Sequence, residues 1–294
     1  SEHQGNIADL TPEQKRALLA DLLKEKARHQ KTTVPASAGQ RALWFIQQST
    51  PQNFAYHVSF SVRVLSSVNT THLQKAIQAV VNRHATLRTL YSIQDGQLVQ
   101  QIHAYQDADF QQVDAAGWDD NYLYQQVLQY DHLPFNLEAG PVIRWRLFTR
   151  SVDDHILLIT AHHICIDAWS LWMVLDDLRQ GLQAQAEGRP VALAPEPAPY
   201  AGWAEWQSAM LAGSEGEELR SFWENQLSGN LPVLNLPYDF PHPVIPTLRG
   251  NSISISLSPE ETRQIKALAQ ARGVTLFMLL LAVYQVLQIG RAHV

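Results

Sequence analysis

Residues 140–163, GPVIRWRLFTRSVDDHILLITAHH, read as two strands in succession. SLWMVLDDLRQGLQAQAEG (170–188) follows as a helix with Leu171, Leu175, Leu178 and Leu182 on one inward face. Two apolar strands running into an amphipathic helix need a sheet with helices laid against it, so an α/β layer structure is expected. The stretches before it agree. FAYHVSFSVRVL (54–65) alternates, with Tyr56, Val58, Phe60, Val62 and Val64 on one face and His57, Ser59, Ser61 and Arg63 on the other, as a half-buried strand does. NTTHLQKAIQAVVNRHATL (69–87) puts Leu73, Ile77, Val80, His84 and Leu87 on one helical face. TLYSIQDGQLVQQIHA (89–104) reads as a hairpin turning at Asp95-Gly96.

The flanks differ in character. LTPEQKRALLADLLKEKARHQ (10–30) opens with Thr11 as cap, Pro12 at the first helical position and Gln14 completing a capping box. Its narrow stripe of Leu18, Leu19, Leu22 and Leu23, followed by KTTVPASAG, predicts a lead-in helix docked on the domain behind it. Residues 188–202 and 230–250 are proline-rich and suit extended connections. Between them lies one aromatic helix, WAEWQSAMLAGSEGEELRSFWENQL (203–227). NSISISLS (251–258) alternates like a strand. Ser258-Pro259-Glu260-Glu261 starts a helix that Gly273 ends, and Thr275 caps another that is apolar nearly all round. Such a helix needs a surrounding core, which the chain is expected to lack.

Composition narrows the function. A net charge of −6 provides no basic surplus to neutralise phosphates, so no nucleic-acid partner is expected. Cys165 is the single cysteine, which excludes disulfides within the chain and multi-cysteine zinc sites and fits the cytoplasm. The longest apolar stretch, LFMLLLAV (276–283), falls short of the ~20 residues a bilayer requires, so no membrane partner is expected.

AHHICIDAWSLW (161–172) sets two histidines side by side with an aspartate four residues after the second, a pattern open to a buried histidine, a metal site or an acyl-transfer site. Adjacent strand residues point to opposite faces, so His162 and His163 do not easily meet on one ion, and no metal is expected. A satisfied core histidine and an acyl-transfer site both remain. Against the first, burying two histidines and an aspartate costs ~1–3 kcal/mol each unless they are paired. Cys165 is expected to fill an apolar slot beside Ile164 and Ile166, with a reactive thiol as the alternative.

HHICIDAWS (162–170) resembles the HHxxxDxxS motif of condensation domains of nonribosomal peptide synthetases, in the chloramphenicol acetyltransferase superfamily. SAGQRALWF (37–45), RHATLRTLY (83–91) and PYAGWAEWQ (199–207) resemble that family's first, second and fourth motifs, in the same order, and FWENQLSGNLPVLNLP (222–237) resembles the segment leading into its second lobe. The chain departs from the pattern at Ala168, where glycine is usual, at Gly202, where an acidic residue is usual, and at Ala85, where glutamate is usual. These departures bear on the substrate subtype.

The resemblance implies a V-shaped, two-lobed α/β fold with a tunnel between the lobes. Residues 1–31 would be a lead-in linker with a helix. Residues 32–186 would be the first lobe, a two-layer sandwich, and 187–250 the inter-lobe connection with its aromatic helix. Residues 251–288 would begin an incomplete second lobe, and 289–294, IGRAHV, are expected to be a non-native tail that leaves the fragment inactive alone. The implied reaction is amide formation between an acyl or peptidyl thioester on an upstream carrier domain and the amine of an aminoacyl thioester on a downstream one. Both would arrive on phosphopantetheine arms, with no cofactor held by the domain itself and an adenylation domain in the same assembly. His163 is expected to face the tunnel, positioning the amine and accepting its proton late. His162 and Asp167 are expected to be architectural, with Asp167 paired to Arg83 or Arg88. Ser170 and Trp169 would support the site, where the N–H groups opening the Trp169 helix would help hold the oxyanion. A coenzyme A-dependent acyltransferase and a carrier-binding module that has lost its chemistry are the alternatives.

Overall fold

The computed structural model describes residues 11–291 except 196–197, 232, 234–237, 242, 245–247, 249 and 252. It divides into two compact units between Gln226 and Leu227. In chain order the first unit contains α1 (Pro12–His29), β1 (Lys31–Pro35), α2 (Ala38–Ser49), β2 (His57–Val64), α3 (Thr70–Arg83) and a 3-10 turn (Ala85–Arg88). There follow β3 (Thr89–Gln94), β4 (Gln97–His103), β5 (Phe110–Asp114), α4 (Asp120–Asp131), β6 (Ile143–Ser151), β7 (Asp154–His162), α5 (Ala168–Ala186), α6 (Tyr200–Ala212) and α7 (Ser214–Gln226).

The tandem strands read from the sequence are β6 and β7, paired antiparallel inside a sheet of order β2-β7-β6-β5, in which β5 runs parallel to β6. Period-two alternation sorts their side chains between two cores. Ile143, Trp145, Leu147, Leu157, Ile159 and Ala161 join Leu73, Ile77 and Val80 of α3 and Val174 and Leu178 of α5. Phe148, Leu158 and Ile156 instead meet Leu123, Val127 and Tyr130 of α4 on the other face. Odd residues of β7 therefore face α3 and α5, and even residues face α4. Trp145 and Ile159 are fully buried, so truncating Ile159 falls in the ~2–5 kcal/mol class of core deletions.

Helices α3 and α5 lie close because Gly181 has no side chain. A Cβ there would sit 3.0 Å from that of Ala76. The second sheet, β1-β4-β3, contains the expected hairpin. Asp95 and Gly96 both take positive φ, 49° and 78°, as a two-residue turn of this hand requires. β5 and α4 were not expected from the sequence, nor was KTTVP as the edge strand β1.

Three expectations are corrected. Helix α1 has its predicted capping box, but its leucine stripe does not dock: Leu19, Leu22 and Leu23 are more than half exposed. It is held at its last turn, where Arg28 pairs with Asp107 and Gln30 accepts a hydrogen bond from the Ala104 N–H. The single aromatic helix is two, α6 and α7. Gly213 takes an extended backbone between them, and the chain turns so tightly that a Cβ on Gly216 would strike the Leu211 carbonyl. NSISISLS forms no strand in its described residues. Ile253 and Ile255 are exposed, and alternation without a pairing edge does not stabilise a strand.

In the second unit, α8 (Pro259–Ala271) opens on the predicted Ser258–Glu261 capping box, and Gly273 follows it at φ 65°. The Thr275 hydroxyl accepts the Met278 N–H at 3.2 Å, capping α9 (Leu276–Arg291). Phe277, Tyr284 and Val286 are exposed on α9. Of the expected tail, 292–294 lie outside the described residues, and 289–291 continue the helix. No single described helix is long and apolar enough to cross a membrane, although α8 and residues 276–288, bent by 101°, reach that composition as a pair.

Candidate active site

The alternation along β7 separates the two histidines. His162, an even position, is fully buried on the α4 side opposite its ladder partner His57. His163, one residue past the strand, continues the ladder through its N–H to the Tyr56 carbonyl at 2.8 Å. Its side chain is exposed and lines a cavity of about 530 Å³ on the α3 and α5 side.

His162 closes the turn that comes after it. Its Nδ1 accepts the Ile164 N–H at 3.0 Å, so in the neutral ring the proton sits on Nε2. Phe135 meets the ring edge-on, with centroids 6.1 Å apart. Burial, and secondarily the charges of His57 and His163, push the imidazole down to about 4, so it is neutral at physiological pH. Cys165 is buried, its Sγ directed at the carbonyls of His162 and Val142. Burial pushes its thiol up to about 12, which removes it as a nucleophile and bears out the apolar-slot reading.

Asp167 is the N-cap of α5. Its Oδ1 accepts the Ser170 N–H at 2.7 Å. That bond first, then the Ser170 hydroxyl, hold the carboxyl below the usual carboxylate range, and nearby His163 adds a smaller pull. The expected pairing with Arg83 or Arg88 is not present. Arg83 reaches Asp177, a buried carboxylate two turns into α5, which His84 Nε2 also contacts at 2.6 Å. Arg88 donates to the carbonyls of Val81, Asn82 and His103. Asp167 lies at the exposed start of its helix, where the nearest orphan donors are that helix's own N–H groups, and these satisfy it. Ser170 lines the cavity, whereas Trp169 is 78% exposed.

The turn is braced from the other sheet by residues to which the sequence assigned no role. Tyr91 Oη donates to the Ile164 carbonyl at 3.2 Å and accepts from Gln40 Nε2 at 3.0 Å. The second Gln40 Nε2 hydrogen goes to Gln100 Oε1, and Gln100 Nε2 reaches the Pro35 carbonyl, both at 3.0 Å. Gln40 Oε1 takes the Ser37 N–H, and Ser37 Oγ meets the Tyr200 hydroxyl at 2.8 Å. The signal available in the sequence was a run of amides and one tyrosine at positions that the helix and strand periods direct inward. Leu43, Leu87, Ile166 and Val174 are among the cavity's apolar lining, and His163, His84, Asp167 and Gln40 are among its polar points, with Thr86, Ser170 and Tyr200. Among the described residues no group of three or more histidine, cysteine, aspartate or glutamate side chains is arranged to hold a metal.

A family model described as the condensation domain matches residues 30–288. The chain is similar to malpinin synthetase of Mortierella alpina, 33% identical over 253 residues that cover 85% of this chain and 3% of that protein. It is 33% identical over 258 residues to phosphinothricin tripeptide synthetase PhsC of Streptomyces viridochromogenes, covering 86% of this chain and 24% of that one. Among solved structures, the X-domain from teicoplanin biosynthesis aligns with a TM-score of 0.72 at 25% identity, over 84% of this chain and 54% of its own. The chain thus spans a small part of the curated relatives it matches.

Proposed function

The chain belongs to the condensation-domain family, and on that premise we propose that it forms an amide between two carrier-bound thioesters, with His163 at the reacting centre. The donor is an acyl or peptidyl thioester on an upstream carrier domain. The acceptor is the amine of an aminoacyl thioester on a downstream one. Both ride on phosphopantetheine arms, within an assembly that also holds an adenylation domain. What carries this reading is the division of labour between the histidines: His162 is buried and kept neutral, and His163 stands on the cavity wall.

An α-amine with an ordinary pKa of ~7.7–8.0 is partly neutral at physiological pH, so attack needs no strong base. The amine nitrogen bonds to the thioester carbon, and the carbonyl electron pair moves to oxygen. The nitrogen of the adduct, now ammonium-like, passes its proton to the His163 imidazole. Collapse of the adduct breaks the C–S bond and expels the phosphopantetheine thiolate, which takes up the proton that His163 received. Holding amine and thioester in register contributes more than the proton transfer does, up to ~7–11 kcal/mol in well-oriented systems. At the start of α5, the Ser170 and Leu171 N–H groups already bond to Asp167. The Ala168 and Trp169 N–H groups are therefore the donors assigned to the oxyanion.

The test is single-turnover amide formation by the longest polypeptide that carries this sequence, with donor and acceptor loaded on carriers. His163→Ala should keep the wild-type melting temperature and lose amide formation. A fully active His163→Ala protein would overturn the assignment, and equal use of a coenzyme A thioester as donor would turn the reading toward a soluble-substrate acyltransferase.

A further inference from the structure

We infer that His84 is a second substrate-contacting histidine, whose Nδ1 accepts a hydrogen bond from the amine of the aminoacyl acceptor and holds it for attack. The inference rests on the function proposed above and assigns a residue to it.

His84 ends α3 at the cavity wall. Its backbone is pinned on both sides: its N–H goes to the Val80 carbonyl and its own carbonyl accepts the Leu87 N–H, both at 3.1 Å. The ring is pinned as well. Nε2 lies 2.6 Å from Asp177 Oδ2, and Asp177 Oδ1 is held by Arg83. An ionised carboxylate only accepts, so Nε2 carries a proton, and in the neutral ring Nδ1 keeps the lone pair. A buried carboxylate that fixes the tautomer and plane of a histidine is the usual support of a ring that works through its other nitrogen. Three polar side chains buried together at 4% to 16% exposure are costly as packing alone.

The surroundings indicate what that nitrogen takes. Leu43, Leu87, Ile166 and Val174 line the same cavity. A fixed lone pair takes a hydrogen-bond donor, such as an amine N–H, and disfavours a carboxylate. With His163 also on that wall, an amine held by His84 Nδ1 faces the group that later receives its proton.

Two substitutions separate this from a structural role. His84→Gln puts an amide N–H near the Nε2 position, preserving the bond to Asp177, but has no acceptor at Nδ1. His84→Asn puts an oxygen near Nδ1 and abandons Asp177. The experiment is single-turnover amide formation in the longest polypeptide carrying this sequence, with separate titrations of donor and acceptor carriers and melting curves. If His84 holds the acceptor, His84→Gln melts like wild type and forms amide at least tenfold more slowly, with the defect in the acceptor titration. His84→Asn melts lower yet is the faster of the two. A fully active His84→Gln protein, the reverse order of the variants, or a defect confined to the donor titration would overturn the inference. If His84→Asn does not fold, nitrogen NMR of wild-type histidines decides: the His84 Nδ1 resonance must move when acceptor-loaded carrier is added, and a static resonance refutes the contact. A wild-type protein that forms no amide would remove the function, and this assignment with it. A defect in the wrong titration removes only His84.

Discussion

If His162 is neutral because it is buried, the stability of the fold must depend on pH through that residue. Its ordinary value of 6.5 falls to about 4 in the folded state, with burial the leading cause. Between those two values the unfolded chain binds a proton at His162 and the folded chain does not. Protons therefore favour unfolding, and stability is lost as pH falls from about 6.5 toward 4. Below about 4 the folded state binds the proton too, and the loss levels off. At ~1.36 kcal/mol per pH unit the gap is worth about 3 kcal/mol, an order-of-magnitude figure. No discount for solvent screening applies, because the side chain is fully buried.

The control is His162→Asn, whose side-chain oxygen can accept the Ile164 N–H in place of Nδ1 but does not titrate. Urea unfolding of both proteins at steps from pH 7.5 to pH 4, values set by the ~6.5 reference of histidine, yields two stability curves. Groups that do not interact with His162 titrate alike in both and cancel in the difference, while the coupling to His57 and His163 is counted as part of the His162 effect. The smaller Asn side chain lowers its curve by an amount that does not vary with pH. The wild-type curve should therefore fall by about 3 kcal/mol more than the variant's over this window. Parallel curves would show that His162 titrates normally when folded, and the division of roles between the histidines would lose its physical basis.

Asp167 and Asp177 should behave in opposite ways. Asp167 is an exposed cap, so Asp167→Asn should leave the melting temperature nearly unchanged and Asp167→Ala should cost ~1 kcal/mol; a loss above ~3 kcal/mol would mean a buried partner after all. Asp177→Ala leaves Arg83 and His84 without their buried carboxylate and should cost ~3–5 kcal/mol in denaturant unfolding; a near-neutral result would show that the cluster is relaxed in solution.

The sequence was most legible where structure is local. Capping boxes at Thr11 and Ser258, the Asp95-Gly96 turn and the alternation of β6 and β7 each depend on a few neighbouring residues. Elements that exist through a distant partner were missed. β5, FQQVD, has almost no apolar alternation and is a strand because β6 lies parallel to it. In α4 only Leu123 is buried, with Val127 and Tyr130 partly buried along the same face, so its apolar stripe is thin. NSISISLS erred the other way, with the right pattern and no edge to pair with. In the site, strand parity foretold that the histidines part company. The partner of Asp167 was misassigned because an arginine at the end of α3 can meet either of two aspartates on α5, one at the cap and one ten residues on, and only packing of the two helices chooses.

That packing also explains how an exposed histidine can be placed with accuracy. His163 has one backbone bond to Tyr56, just before β2, but the turn after it is fastened at three further points. His162 Nδ1 and Tyr91 Oη hold the N–H and carbonyl of Ile164, and Asp167 ties the far end to α5. Tyr91 is in turn held by Gln40, and Gln40 by Gln100, so the bracket extends from β7 through α2 to β4. The links through His162, Tyr91, Gln40 and Gln100 are neutral hydrogen bonds inside the fold, where each unmade bond costs ~1–3 kcal/mol. A turn fixed by buried partners on rigid elements positions an exposed ring better than a free loop does, while leaving that ring on the cavity wall. The neighbouring histidine is thus no duplicate: His162 is the buried anchor that lets His163 be exposed without being mobile.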